Sequence, residues 1–391
     1  MKRTSYTLLA IVVLLPILFA ACAPQSTLEP VSPKPAPTQP STAPTSNISP
    51  LTSQSPTSQD AAWAKVVEAA KKEGTVNMYS YNLVGDVGLA VSKGFKERYG
   101  ISVDIITGRG AEFLERLKTE KRIGQVVADA ADGSSLHLQN YKNEGFTVSL
   151  IDKVPVFSEQ GVWLTNVFGM DPKDKHIAGL SLNYYSPWIN TKQLATPADM
   201  PQVWRDLLKP QWKGKMILTD PTTSGGPQQF FVPLMREKVI DEEYLKALYK
   251  QDLILSTSLQ DEGRMLARGE RALSVRGSIS TLAKFAAEGA PIKAIDMKDG
   301  VVELISPTTA VISGGPHPNA ALVFMNWFLS KEGQTAFTKA ASAPPVRKDV
   351  TDTTPEAARI IPQKPIVQTL EDNEKALELF RSKWLDKLWA R

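Results

Sequence analysis

A single cysteine among 391 residues leaves no partner for an internal disulfide, so an oxidising compartment offers this chain no covalent staple. Histidine is scarce as well. His137, His176 and His317 are scattered, without a Cys, His or carboxylate neighbour at metal-ligand spacing, and read as surface or capping residues. An excess of one charge is also missing. The formal net charge is +4, and removing Lys2 and Arg3 leaves 43 basic against 41 acidic side chains, or +2. With no basic run carrying interleaved aromatics, this balance argues against a nucleic-acid partner. The sequence lacks a Gly-x-Ser-x-Gly elbow, a phosphate-binding P-loop and a His-Glu-x-x-His pair, so catalysis has no support and no cofactor is implied. Beyond the first twenty residues no apolar run reaches transmembrane length. Hydrophobic residues make up 42%, enough to build one large two-lobed domain or two small ones.

What is present begins with a short positive start, Lys2 and Arg3, followed by an apolar run from Leu8 to Phe19 broken only by Pro16. That run suits a signal-peptide core and is too short to span a bilayer. Leu18-Phe19-Ala20-Ala21-Cys22 resembles the bacterial lipobox, in which the cysteine is acylated and the preceding peptide removed. Phe19 departs from the usual small aliphatic residue. Residues 1–21 are therefore read as a lipoprotein signal and Cys22 as the lipidation site. From Ala23 to Asp60 the chain holds nine prolines and only three charges, Glu29, Lys34 and Asp60. So little apolar surface cannot offset the entropy of ordering, and residues 22–60 read as a stalk of roughly 100 Å at full polyproline extension.

From residue 61 the periodicity changes. Trp63, Val66, Val67 and Ala70 recur at helical spacing, with Gly74 as a stop. Thr75–Ser80 reads as a buried strand, Asp86–Tyr99 as a helix closed by Gly100, and Ile101 to Ile105 as an alternating strand. Ala111–Ile123 is an amphipathic helix, Val126–Ala131 a strand and Ser134–Glu144 a helix. The middle repeats the pattern. Strands are predicted at Leu180–Tyr185, Lys215–Thr219 and Arg271–Val275, and helices at Asp241–Tyr249, Asp261–Arg268 and Ser278–Glu288. Later come a strand at Thr309–Ser313, helices at Asn319–Leu329 and Glu332–Lys339, and a closing helix carrying Leu377, Phe380, Trp384 and Leu388. Strands alternating with helices imply an α/β fold with a largely parallel sheet.

In such folds ligands bind outside the carboxyl ends of strands. Four turns there are rich in small polar residues: Ser80-Tyr81-Asn82, Thr107 to Gly110 with Arg109, Asp132 to Ser135 with Ser134 and Ser135, and Asp220 to Gly226 with Thr222, Thr223 and Ser224. Free N–H groups at the helix starts and the hydroxyls favour an anion, and Arg109 and Arg276 follow strands where they can meet a carboxylate or phosphoryl group. Each turn taken alone also reads as an ordinary helix cap, and Arg109 as a solvated loop charge. Tyr184, Tyr185 and Trp188 cluster after a strand, either lining a cleft or packing at a hinge.

Several segments resemble the extracellular solute-binding proteins of ABC importers, in the branch that includes ferric-iron binders. Trp63 to Ser80 looks like the start of that folded domain, and Gly94-Phe95-Lys96-Glu97-Arg98-Tyr99-Gly100-Ile101 like a further element of it. Asn190-Thr191-Lys192, Trp212-Lys213-Gly214-Lys215, Gly269-Glu270, Leu329-Ser330-Lys331-Glu332-Gly333-Gln334 and Val346-Arg347-Lys348-Asp349-Val350 match in order. The resemblance implies a two-lobed type II periplasmic-binding-protein fold with a ligand cleft closed by a hinge. The implied layout is a first lobe over 61–179, a second over 180–300, and a return with C-terminal helices over 301–391. The first crossing is expected near Leu180 to Asn190 and the return near Val301 to Thr309. It further implies a monomer, held by lipid on the extracytoplasmic face of the membrane, that delivers a small solute to a permease.

The ferric branch uses adjacent tyrosines after the Gly-Glu element, with a His and a Glu on earlier loops. Here Ser274 to Ile279 holds no tyrosine, the first loop has no histidine, and Ser134 and Ser135 stand where a Glu belongs. That shifts the expectation towards an anionic solute, with ferric iron or a ferric complex as the alternative. A solute-sensing module for a membrane receptor and an enzyme on the same fold are the other readings, the enzyme being disfavoured.

Overall fold

The computed structural model describes residues 58–372 apart from 166, 170, 195, 197–198, 222–225 and 370, with Lys375 beyond them. Cys22, the stalk to residue 57, the turn residues Thr222, Thr223 and Ser224, and most of the predicted closing helix lie outside the described residues.

Helix α1 (Ser58–Glu73) leads into strand β1 (Thr75–Ser80), helix α2 (Asp86–Tyr99) and strand β2 (Ser102–Thr107). Both predicted stops hold. Gly74 and Gly100 take φ of 75°, a left-handed turn that a Cβ disfavours. Helix α3 (Gly110–Arg122), strand β3 (Ala130–Gly133) and helix α4 (Ser135–Asn143) follow. β3 starts four residues later than predicted. Residues 126–129 are held partly by side chains: Val127 donates to Glu120, and Asp129 accepts from Asn77 and His317.

Strands β4 (Ala178–Gly179) and β5 (Leu182–Asn190) come next, then β6 (Met216–Thr219), α5 (Gly226–Arg236), α6 (Glu242–Tyr249), β7 (Ile254–Ser256), α7 (Leu259–Arg268), β8 (Leu273–Ser278), α8 (Ile279–Ala287) and β9 (Ile292–Ala294). Strands β10 (Val301–Ile305) and β11 (Thr308–Val311) precede α9 (Pro318–Phe328), α10 (Lys331–Ala341) and strand β12 (Pro365–Val367).

The strands form two sheets. The first has the order β2-β1-β3-β11-β4, and the second β12-β10-β5-β8-β6-β7 with β9 on β5. Alternation along β1 explains the first lobe's three layers. Val76 and Met78 face a core with Phe95 of α2 and Phe324 and Phe328 of α9, while Tyr79 faces Phe113, Leu117 and Tyr141 of α3 and α4. Fully burying each such side chain contributes roughly 1.5–3 kcal/mol. The second sheet carries the larger core, including Trp188, Trp204, Phe230, Tyr244 and Leu282.

The chain passes between the sheets at Leu180-Ser181 and again at Ser306-Pro307. A third passage differs from the expected layout. The 3₁₀ turn Glu356–Ala358 packs against α8 and β9, and β12 pairs in parallel with β10. β10 and the segment near β12 therefore belong with the second sheet, because Ile366 buries into that core and β10 offers it an open edge.

Candidate functional site

Register locates the cleft. The last residue of β3, Gly133, lies opposite Thr308, directly after the second passage, and Gly179 lies opposite Thr308 directly before the first. The carboxyl ends of the parallel strands β1, β2 and β3 thus point at the passages. In the second sheet β5 pairs with β10 from Leu182 and Ile305, and Tyr185 pairs with Ser278 at the carboxyl end of β8. β6 and β7 run parallel to β8. Both lobes therefore present strand carboxyl ends and helix N-termini towards the same connections, the arrangement in which α/β proteins bind ligands.

In the first lobe the predicted residues are largely spent on the fold. The Ser80 hydroxyl is buried and donates to Asp132, and it accepts from the Leu83 amide at 2.7 Å. Asp132 also accepts from Tyr81 N at 3.3 Å, Asn82 N at 3.0 Å and Asn82 Nδ2 at 2.6 Å. Burial pushes this carboxyl up to about 6 against those hydrogen bonds. Ser80 and Asn82 are thus brought together around an aspartate, while Tyr81 is 50% exposed at the rim. Ser134 caps α4 through the His137 amide and meets His137 Nδ1 at 3.0 Å. Ser135 turns inward and donates to the carbonyl of Ile305 at 2.9 Å. Arg109 is exposed at the start of α3.

The second lobe is arranged differently. Tyr184 is buried opposite Glu303, and burial together with that carboxylate pushes its phenol well above the ordinary range. Trp188 is fully buried, with its ring over Gly277, so it is core and does not line the cleft. Tyr185 lies beneath Arg276, whose Cζ is 4.1 Å from the ring centroid, and its other neighbour Phe230 meets it edge-on at 6.1 Å. Arg276 is only 1% exposed, yet among the described residues nothing accepts a hydrogen bond from its guanidinium, and Nε is buried without a partner. Two residues further, Ser278 meets Asn183 Nδ2 at 3.0 Å and Ser280 Oγ at 2.8 Å, at the start of α8.

Behind β8 stands a residue the sequence reading missed. Glu262 of α7 is fully buried and accepts from the hydroxyls of Thr219 and Ser274. Burial raises it to about 7, against the Ser274 and Thr219 hydrogen bonds and, after them, the positive charge of Arg276. Its signal was present: Glu262 lies four residues before the buried Leu266, inside the apolar stripe of an amphipathic helix.

An unpaired buried cation, flanked by hydroxyls at the end of a strand and above a helix N-terminus, can hold an anion by bidentate hydrogen bonds. The comparisons agree with a binding role. The bacterial extracellular solute-binding protein family matches residues 137–362, more than half of the chain. An uncharacterized protein of Haemophilus influenzae is 26% identical over 250 residues, 62% of this chain and 69% of that protein. Among solved structures, the periplasmic binding protein AfuA of Actinobacillus pleuropneumoniae, with exogenous fructose-6-phosphate bound, superposes with a TM-score of 0.60 at 19% identity, covering 81% of this chain and 99% of that one. Iron-bound HitA of Pseudomonas aeruginosa gives 0.62 at 20% identity, over 78% and 98%. The ferric binding protein of Campylobacter jejuni gives 0.62 at 19%, over 80% and 99%. These likenesses establish the two-lobed periplasmic-binding-protein fold, and the family is one of binding proteins with an extracytoplasmic location. The chain belongs to the bacterial extracellular solute-binding protein family.

Proposed function

We propose that this protein captures a small anionic solute between its lobes and delivers it to an ABC permease, working as a monomer tethered by lipid on Cys22. Buried Arg276, whose guanidinium finds no acceptor among the described residues, carries the reading. A guanidinium excluded from water and left without an acceptor costs several kcal/mol unless a ligand supplies one. The Tyr185 ring offsets part of that cost and holds the guanidinium plane in place. The exposed Ser280 hydroxyl lies at the same strand end, while the Ser278 hydroxyl and the Ser280 amide are held by Asn183. Bare Fe³⁺ fits this environment poorly, because the cation over Tyr185 repels it. A ferric complex with an anionic outer surface meets the same requirement as an organic anion.

The test is a thermal-shift screen of carboxylates, inorganic phosphate, phosphonates, sugar phosphates and ferric complexes, followed by titration of any hit. Arg276→Gln weakens the hit by about thirtyfold or more, since truncating one side of a buried charge pair costs about 2–5 kcal/mol. A set of anions without any effect, or a hit indifferent to Arg276→Gln, overturns the reading. The tether is tested separately. Cys22→Ser releases the protein from the membrane fraction and leaves solute affinity unchanged, and continued membrane retention of that variant refutes lipid anchoring.

A further inference from the structure

Resting on the anion reading of Arg276, we infer that the solute is an oxyanion gripped at a second point, the hydroxyl of Ser280, whose proton Asn183 and Ser278 aim outward from the protein. The starting observation is a serine that stands at a helix N-cap without capping it. Ser134, Ser258 and Ser330 each accept the amide three residues on in their own helix. Ser278 is the N-cap residue of α8, and its hydroxyl makes no such bond. Asn183 of β5 serves the first turn of α8 instead, its Oδ1 accepting from the Ser280 amide at 3.2 Å. The Ser278 hydroxyl is thereby left for another use.

That one amide sets the direction of the other bonds. A backbone N–H can only donate, so the Asn183 carbonyl oxygen faces Ser280 and Nδ2 faces Ser278, to which it donates at 3.0 Å. Ser278 Oγ lies 2.8 Å from Ser280 Oγ and 3.1 Å from Asn183 Oδ1. The first is the ordinary spacing of two hydroxyls and the second is long for one, so the Ser278 proton goes to Ser280. Ser280 then accepts from Ser278 and has its own proton left to give. Asn183 and Ser278 are buried and Ser280 is exposed, so the chain of hydrogen bonds runs from a buried amide to an exposed donor. Tyr185 ties this donor to the guanidinium. Arg276 Cζ is 4.1 Å from the Tyr185 ring centroid, and Ser278 is the cross-strand partner of Tyr185. The register of β5 with β10 is unbroken from Leu182 to Tyr185, so Asn183 and Tyr185 share a face. Two donors at one strand end suit an anion with several acceptor oxygens, a carboxylate, sulfate or phosphoryl group, and disfavour one that presents an N–H to Ser280.

Sulfate is a suitable probe, because near neutral pH it carries only acceptor oxygens and no proton. Calorimetric titration of the full-length protein shows sulfate binding that Arg276→Gln abolishes. Ser280→Ala weakens it about tenfold, as expected for a hydrogen bond to a charged group, and Ser280→Thr, which keeps the hydroxyl, recovers most of that loss. Asn183→Asp tests the direction. A carboxylate only accepts, so it draws the Ser278 proton to itself and the Ser280 proton onto Ser278. Its charge weakens sulfate binding by itself, but in this background Ser280→Ala costs only about twofold more. If Asn183→Asp does not fold, Ser278→Ala takes its place, and Ser280→Ala then costs about threefold. Arg276-dependent binding that is indifferent to Ser280→Ala, or that Ser280→Thr loses equally, overturns the second contact and leaves the anion reading standing. An undiminished tenfold cost of Ser280→Ala in the second background overturns the aiming by Asn183 and Ser278. Sulfate that does not bind, or that binds without Arg276, overturns the whole inference, and the wider anion screen then decides the anion reading by itself.

Discussion

The two lobes bring the same kind of strand end to the cleft and use it in opposite ways. In the first, Asp132 consumes the polar groups of its own loops: the Ser80 hydroxyl, the Tyr81 and Asn82 amides and the Asn82 side chain. In the second, Glu262 takes the hydroxyls of Thr219 and Ser274, and among the described residues nothing accepts from the Arg276 guanidinium. Both carboxyls are pushed up by burial, to about 6 and about 7. The difference lies in what remains unsatisfied. A polar turn at a strand end is evidence of a binding surface only when its donors are not already spent inside the protein.

The sharpest way to break this comparison is Asp132→Ala. It strands several buried donors at once, and we expect a loss of about 4 kcal/mol near pH 4, read from urea unfolding of the empty protein. The pH dependence has a definite sign. The folded carboxyl is raised above its unfolded value, so its contribution is present below the unfolded value, near 3.8, and is lost as pH rises through about 6. The cost of Asp132→Ala therefore shrinks by about 3 kcal/mol across that window. A cost that grows with pH shows that Asp132 is held ionised by partners stronger than those seen here.

Arg276→Met is the matching change in the second lobe, and its sign is reversed. Replacing an unpaired buried cation with an apolar side chain of similar length stabilises the empty protein by about 1–2 kcal/mol, while abolishing anion binding. A loss of several kcal/mol instead means that the guanidinium has an internal acceptor and that the lobes do not differ in this respect.

Much of this fold was legible from residue order. Thr75–Ser80 and Asp86–Tyr99 match the expected elements residue for residue, because the strand starts directly after Gly74 and the helical period ends at Gly100, both in the left-handed turn. Ser134 was legible as a cap for the same local reason. Features that depend on distant contacts were not. The inward turn of Ser80 is set by Asp132, fifty-two residues away, and β12 joins the second sheet through an edge that only β10 supplies. Trp188, expected either in the cleft or in the core, is in the core because Gly277 leaves room for its ring. Glu262 was readable in principle as a charge in an apolar stripe, but the hydroxyls it meets depend on how α7 packs on β6 and β8.

The smallest effect concerns the joint between the lobes. Ser135 opens α4 in the first lobe, and its hydroxyl donates to the carbonyl of Ile305, the last residue of β10 before the chain passes back. Ser135, Ile305 and Thr308 also line a small apolar cavity behind that passage. One side chain thus ties a cleft-facing helix of the first lobe to strand β10 of the second. Ser135→Ala removes a partly buried hydrogen bond to a backbone carbonyl, at a cost of about 1 kcal/mol. If the tie serves only folding, unfolding stability drops by that amount and anion affinity stays the same. If it sets the resting angle between the lobes, affinity changes while the stability loss remains about 1 kcal/mol, because the variant alters the population of the open and closed forms that the solute selects between. We expect the second outcome. Unlike the caps at Ser134 or Ser258, which bond within their own helix, this hydroxyl bonds to a strand of the other sheet.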